Sequence, residues 1–438
     1  MAVADKGMAL GLRALTALAG SDVLDRLGLR DQAERAVNNA TKGGFRAAGA
    51  AGRTFSTVSR NGEPARQKTG SVRSDLFDLT PDDEQAMMRE TVGGFAATRF
   101  RPAALDADAA CEPPADLMSQ ANELGITMLG VPEEMGGALS ERSAVTSALV
   151  TEALAKGDMG LALAALSPAA VATAIGLWGD SGQQGTYLPE LTGENVPAAA
   201  LAIQEPRAIF DPFELKTTAK RSGDGFILDG EKSLVARGVD SELFIVGADL
   251  DDHPALFIVE AATQGVLVEP QPAMGVRAAA TANLKLSGVN LKAEALLGEG
   301  APAVYADCIR LGRIAWSALA IGTAQAVCDY VVPYVNERIA FGEPISHRQA
   351  VAFKVADMAT ELEGMRLVML RAASRADQGL DFSRESALAR RLVAQKGMQI
   401  GSDGVQLLGG HGYIKEHPVE RWYRDLRAAG VFEGGVLV

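Results

Sequence analysis

The chain has 438 residues, 47% hydrophobic and 22% charged, with a formal charge of −13. That length suits about three domains, the apolar share excludes a disordered polymer, and the acidic balance argues against nucleic acid as the main partner. The charge is uneven: residues 1–75 carry 12 Lys/Arg and 7 Asp/Glu, a balance of +5, against −18 for residues 76–438.

Residues 1–75 read as a basic, partly disordered extension. Residues 8–18 have the pattern of an amphipathic helix, and residues 41–74 hold seven basic side chains with Glu63 as their only acid. A stretch so rich in Gly, Ala, Arg and Ser buries little apolar surface and reads as a tail. Asp5, Asp22, Asp25 and Asp31 argue against a transit peptide, while the basic run is compatible with attraction to an anionic membrane surface.

Residues 76–197 read as a helical domain. Thr80-Pro81-Asp82-Asp83-Glu84 is a helix start: a capping threonine, proline in the first turn, then acids near the positive end of the dipole. Helical spacing continues to Ile175, broken at Pro113-Pro114 and Gly136-Gly137. The longest apolar runs, residues 161–175 and 314–332, are interrupted by Pro168, Gly322 or Asp329. They therefore fall short of the roughly 18–20 residues of a bilayer span and are expected as buried helices.

Residues 198–300 change period. Ala200-Leu201-Ala202-Ile203, Phe226-Ile227-Leu228, Leu243-Phe244-Ile245-Val246 and Leu256-Phe257-Ile258-Val259 are short apolar runs, with hairpin signals at Gly223-Asp224-Gly225 and Asp229-Gly230. The expectation is a small antiparallel β domain. Residues 301–438 return to helical spacing at about 303–337, 348–378 and 384–408. Cys111, Cys308 and Cys328 are scattered, which fits a reduced cytosolic protein. His253, His347, His411 and His417 form no helical ligand pair, so no metal is expected.

Three sets of motifs carry a resemblance. Gln406-Leu-Leu-Gly-Gly-His-Gly-Tyr413, Pro418-Val-Glu-Arg-Trp-Tyr-Arg-Asp425 and Phe432-Glu433-Gly434 follow one another near the C-terminal end. Before them come Glu337-Arg338-Ile-Ala-Phe341-Gly342, Gln349 and Lys354-Val-Ala-Asp-Met-Ala359. Earlier still stand Glu205-Pro206 with Asp211, and Asp229-Gly230-Glu231-Lys232. In order and spacing, residues 80–438 resemble the acyl-CoA dehydrogenase family. The resemblance implies a mostly α fold with an N-terminal helical domain, a middle β-barrel domain and a C-terminal helical bundle. It also implies FAD as cofactor, an acyl-CoA substrate, an electron-transfer flavoprotein as onward partner, and a homo- or hetero-oligomer (dimer or tetramer).

The chemistry agrees with the motif. Oxidising an acyl thioester between Cα and Cβ needs a base for the α proton and an acceptor for the β hydride. No side chain accepts a hydride, so a flavin is required. The base should be a carboxylate in a dry pocket. Glu433 occupies the family's base position, and the resemblance gives its own backbone N–H, beside Gly434, a part in holding the thioester oxygen. An alternative base location directly before an arginine falls here on Gly312, which cannot act as a base. The arginine itself, Arg313, matches a residue under the acyl pocket; a helix-face arginine pairing with an acid is the equal alternative. Arg338 matches an arginine that reaches the flavin diphosphate of a neighbouring subunit, where a guanidinium fork suits the geometry. Phe341 and Gln349 match adenine- and ribose-side contacts, and Gln406, Gly409 and Gly410 match a segment approaching the adenosine half. His411 is expected to be structural or solvent-facing, and Arg421, Arg424 and Asp425 to form a buried ion network.

The departures cluster at the flavin ring. The family's threonine before Glu-Pro is Gln204; its small-residue loop is Arg207-Ala208-Ile209-Phe210; its ring-bonding threonine is Ala236. Ala340 and Gly435-Val436-Leu437 also replace hydroxyl-bearing positions, and Arg310 stands where Asp or Asn is usual. Each lost hydroxyl bond would cost about 0.5–1.5 kcal/mol. Besides the dehydrogenase, two further readings therefore stand: a flavin-poor, half-site subunit of a heteromeric enzyme, and a flavin oxidase or monooxygenase on the same scaffold. Members of the family run on past the base motif, whereas this sequence stops at Val438.

Overall fold

The computed structural model describes residues 80–139, 142–193 and 195–438; the basic extension and its expected amphipathic helix lie outside the described residues. The first helix, α1 (Asp83–Phe95), is capped by Asp82 rather than Thr80. The Asp82 carboxylate accepts the Gln85 N–H at 2.8 Å and the Gln85 side chain accepts the Asp82 N–H at 3.2 Å, so two otherwise unpaired donors are satisfied together. A π-helical turn, Ala96–Phe100, leads into α2 (Arg101–Ala110), which Cys111 ends at a left-handed φ of 59°. After Pro113-Pro114 come α3 (Ala115–Glu123), α4 (Ala144–Gly157), α5 (Met159–Trp178) and α6 (Ser181–Leu191).

Every residue of α5 from Met159 to Ile175 is buried. Pro168 sits inside α5 without ending it, and Ser167 beside it donates its hydroxyl to Ala199 O at 2.7 Å. By length and composition α5 and α7 (Pro302–Glu337) could each cross a membrane, which corrects the reading from interrupted runs. Their most apolar windows are 89% and 61% buried inside the fold, which makes both of them core helices.

The eight-stranded sheet comprises β1 (Ala199–Ala202), β2 (Thr218–Ser222), β3 (Gly225–Val235), β4 (Leu243–Leu250), β5 (His253–Glu260), β6 (Val266–Pro270), β7 (Ala282–Leu291) and β8 (Leu296–Leu297). It runs β6-β7-β3-β2-β4-β5-β8, with β1 also on β4. The sheet is mixed rather than antiparallel: β1 pairs in parallel with residues 243–246 of β4, and β2 in parallel with Asp249 and Leu250. The reason is connectivity, since the chain leaves β1, loops through residues 203–217 and returns in the same direction along the same edge. The strand path is open, ending at β6 and β8, and among the described residues these two do not pair to close a barrel.

Gly223-Asp224 does turn the β2–β3 hairpin, with Ser222 opposite Gly225. Asp229-Gly230 does not turn; it lies inside β3, where the register against β7 shifts between Leu228 and Gly230. The second tight hairpin is instead Asp251-Asp252, both at positive φ, between β4 and β5. The apolar runs are continuous because both sheet faces are covered. Leu243, Ile245, Leu256 and Ile258 join the helical core, while Phe244, Val246, Phe257 and Val259 fill a second core within the sheet domain.

After the sheet, α7 is followed by the short pair β9 (Ile339–Ala340) and β10 (Glu343–Pro344), then α8 (Gln349–Asp377), α9 (Ser383–Leu407) and α10 (Val419–Leu426). Helix α7 is the spine, packed against α4, α8 and α9. At Gly322 the backbones of α7 and α4 nearly touch, for a Cβ there would stand 2.1 Å from Glu152 O.

Candidate active site

Glu433 lies just beyond α10, in a turn built to hold it. Phe432 packs on Trp316 of α7 with ring centroids 5.0 Å apart, and Trp316 Nε1 donates to Gly434 O at 2.6 Å. Gly434 has φ +76° and sits where a Cβ would be 2.7 Å from Ile203 Cγ1, so the turn closes this tightly only on glycine.

The Glu433 carboxylate is buried, with 7% exposure for the residue. Arg313 of α7 donates to Oε1 from Nη2 at 3.1 Å and Nε at 3.3 Å. Arg390 of α9 brings its Nε to 3.1 Å from the same oxygen. Both hydrogen bonds from Arg313 fall on Oε1 rather than Oε2. Both alternatives for Arg313 thus converge, because the acid it pairs with is Glu433 itself. Burial pushes the Arg390 guanidinium below the ordinary arginine range, with Glu433 opposing. Cys308, buried on α7, is pushed up to about 12 by burial. Tyr305, whose hydroxyl donates to Pro212 O at 2.6 Å, is pushed well above its usual value, chiefly by burial. Neither adds a charge at neutral pH.

The Glu433 N–H is already engaged: it donates to Gln204 Oε1 at 3.1 Å. That corrects the expectation that this donor awaits a thioester oxygen, and it arises because glutamine, unlike threonine, is long enough to reach from the end of β1. Ala236 is buried just after β3, its neighbour Arg237 donating N–H to Ala279 O. Arg207 folds back on its own loop, its guanidinium 5.3 Å from the Phe210 ring centre and bonded to Asp211 O and Glu214 O, while Ile209 at its tip is fully exposed. Arg310 pairs with Asp307 at 2.8 Å.

A second cluster forms where α7 ends and α9 ends. Arg338, Gln406, Gly409 and Gly410 line a hollow of about 550 Å³ with Tyr334 and His411. Phe341, 96% exposed, and Gln349, the exposed first residue of α8, lie outside its lining. The hollow fits the diphosphate and adenosine side of a flavin nucleotide. Arg338 has no ion pair among the described residues, and a Cβ at Gly409 or Gly410 would meet open space, so backbone is accessible there. Arg421 and Arg424 do enter a buried ion network, with Asp158 and Asp108, whereas Asp425 makes no ion pair among the described residues and instead accepts the Val276 N–H.

Arg390 and Trp316 were not singled out in the sequence. Arg390 had a signal: it stands on the buried stripe Ser386, Ala389, Val393, Gly397 of α9, where a charge is out of place.

A buried carboxylate in a helix–sheet–helix fold, together with an arginine- and glycine-lined hollow, is consistent with the class of flavin-dependent oxidoreductases. More narrowly, the chain belongs to the acyl-CoA dehydrogenase family: the family's N-terminal domain matches residues 82–195, its middle domain 200–289 and its C-terminal domain 298–435. A probable acyl-CoA dehydrogenase of Bacillus subtilis is 34% identical over 369 residues, covering 82% of this chain and 96% of that protein. Butyryl-CoA dehydrogenase from Megasphaera elsdenii superposes with a TM-score of 0.75 at 28% identity, covering 81% and 96% of the two chains. The FAD complex of PigA gives 0.75 at 26% identity over 81% and 95%. The family consists of FAD-dependent oxidoreductases that act on the CH–CH bond of acyl-CoA and form oligomers.

Proposed function

We propose that this chain dehydrogenates a saturated acyl-CoA, with Glu433 removing the α proton. The observation that carries this is a buried carboxylate whose hydrogen bonds fall on Oε1, which leaves the other oxygen to receive the proton. FAD, when bound, supplies the acceptor for the hydride leaving Cβ. Trp316 and Gly434 hold the turn, and Arg313 fixes the carboxylate from α7 at a position only 7% exposed. Arg338, Gln406, Gly409 and Gly410 would hold the diphosphate and adenosine; Phe341 and Gln349, both exposed, would act across a subunit interface. Ala236 leaves the ring without a hydroxyl partner. Electrons pass onward to an electron-transfer flavoprotein.

The purified chain should be yellow, and anaerobic butyryl-CoA should bleach it. Glu433→Gln should keep the colour and lose the bleaching; a variant that still dehydrogenates sinks the assignment. A second reading, a half-site subunit of a heteromeric enzyme, is favoured by one feature: Gln204 already occupies the Glu433 N–H. A colourless chain that raises the activity of a related subunit would establish it.

A further inference from the structure

We propose that Arg390 is the positioning residue for Glu433, a proposal that rests on reading Glu433 as the base. Arg390 lies on the core-facing stripe of α9, with 15% of its side chain exposed. Placing a guanidinium there carries a desolvation cost. Its Nη1 is buried without a hydrogen-bond partner, and among the described residues its one ion-pair partner is Glu433. Nothing else offsets that burial.

For stability alone the second arginine is redundant, because Arg313 already pairs with the carboxylate. The second cation makes its nearest approach to the same oxygen. It converges on Oε1, at 3.1 Å from α9, while Arg313 approaches the same atom at 3.1 Å from α7. Anchors from two different helices on one oxygen stop the carboxylate from swinging on its side-chain torsions. When the α C–H bond breaks, its proton goes to Oε2 and its electron pair stays with the substrate. Misplacing an attacking group by about 1 Å is enough to cost about 100-fold in rate.

The test is exchange of the α hydrogens of butyryl-CoA with D2O, followed by mass spectrometry on the full FAD-loaded chain. Arg390→Gln should slow the maximal exchange rate about 10- to 100-fold, with the KM for butyryl-CoA and the flavin content unchanged. Arg390→Lys, which restores a cation, should recover most of the loss. Arg390→Gln exchanging at the native rate overturns the proposal. So does a loss that appears in KM, flavin content or folding, or an Arg390→Lys variant no better than Arg390→Gln, because each would make the residue merely structural. Glu433→Gln that still exchanges overturns the reading of Glu433 and this proposal with it, whereas the Arg390 outcomes overturn this proposal alone.

Discussion

Lys232 has no surface exposure, yet its ammonium is held in the interior by Glu205 Oε1 at 3.0 Å and Ile203 O at 3.2 Å. Burial lowers it to about 8, against the pull of Glu205. Glu205 in turn accepts the N–H groups of Lys216 and Thr217, which pins the loop between β1 and β2 beside Gln204. Lys232→Met removes the nearer, fully buried cation and leaves that carboxylate with backbone donors and the more distant Arg207, whose Nε lies 3.7 Å from Oε2. The expected loss is about 3–5 kcal/mol, read as a lower urea midpoint with unchanged slope. A loss below 1 kcal/mol would mean that Glu205 takes up a proton instead. Both residues belong to motifs visible in the sequence, but their meeting was not legible, because a contact across 27 positions depends on how β3 lies against the β1 edge. Glu433 could be picked from its motif for the opposite reason: the Phe-Glu-Gly run fixes its own turn locally. Arg390 needed α9 to be placed before it could be assigned to a partner.

At the scale of elements, the three long C-terminal helices were legible to within a residue or two, since their apolar spacing persists over many turns. Strand positions were legible too, but pairing direction was not, because residues 203–217 carry no periodic signal to say which way the chain returns. Asp229-Gly230 misled for a physical reason: a glycine that permits a turn equally permits a bulge. Helix contact depends on single small residues in the same way. Gly322→Ala should force α7 from α4, because the added methyl meets a backbone carbonyl rather than a movable side chain. A loss of about 1–3 kcal/mol is expected. Gly185→Ala, in the exposed interior of α6 with open space around it, should instead stabilise by about 0.5–1 kcal/mol. Thermal melts of the two variants should move in opposite directions; equal shifts would refute the packing argument at Gly322.

Over residues 80–438, a buried ion network joins α2, α5, the loop before β7 and α10. Arg421 pairs with Asp158, which also caps α5 by accepting the Leu161 N–H, and Arg424 pairs with Asp108 and Glu420. The sequence pointed to the α10 members of this network but not to Asp108 or Asp158, which lie far away in the chain. Asp425 is the odd member. It is fully buried, accepts the Val276 N–H at 2.6 Å, and has no guanidinium within ion-pair distance among the described residues, since Arg421 and Arg424 are already engaged. Burial, reinforced by the charge of Asp158, pushes it up to about 8 from 3.8. Between these values the folded chain holds a proton that the unfolded chain has released, so this group's contribution to stability is full below about pH 4 and falls as pH rises to about 8. Asp425→Asn keeps an acceptor for Val276 and removes the titration. The variant should match the native chain near pH 4 and exceed it increasingly toward pH 8, measured by urea unfolding across that range. If Asp425 were instead an ionised partner of the arginines, the asparagine variant would be weaker than the native chain at every pH above 5.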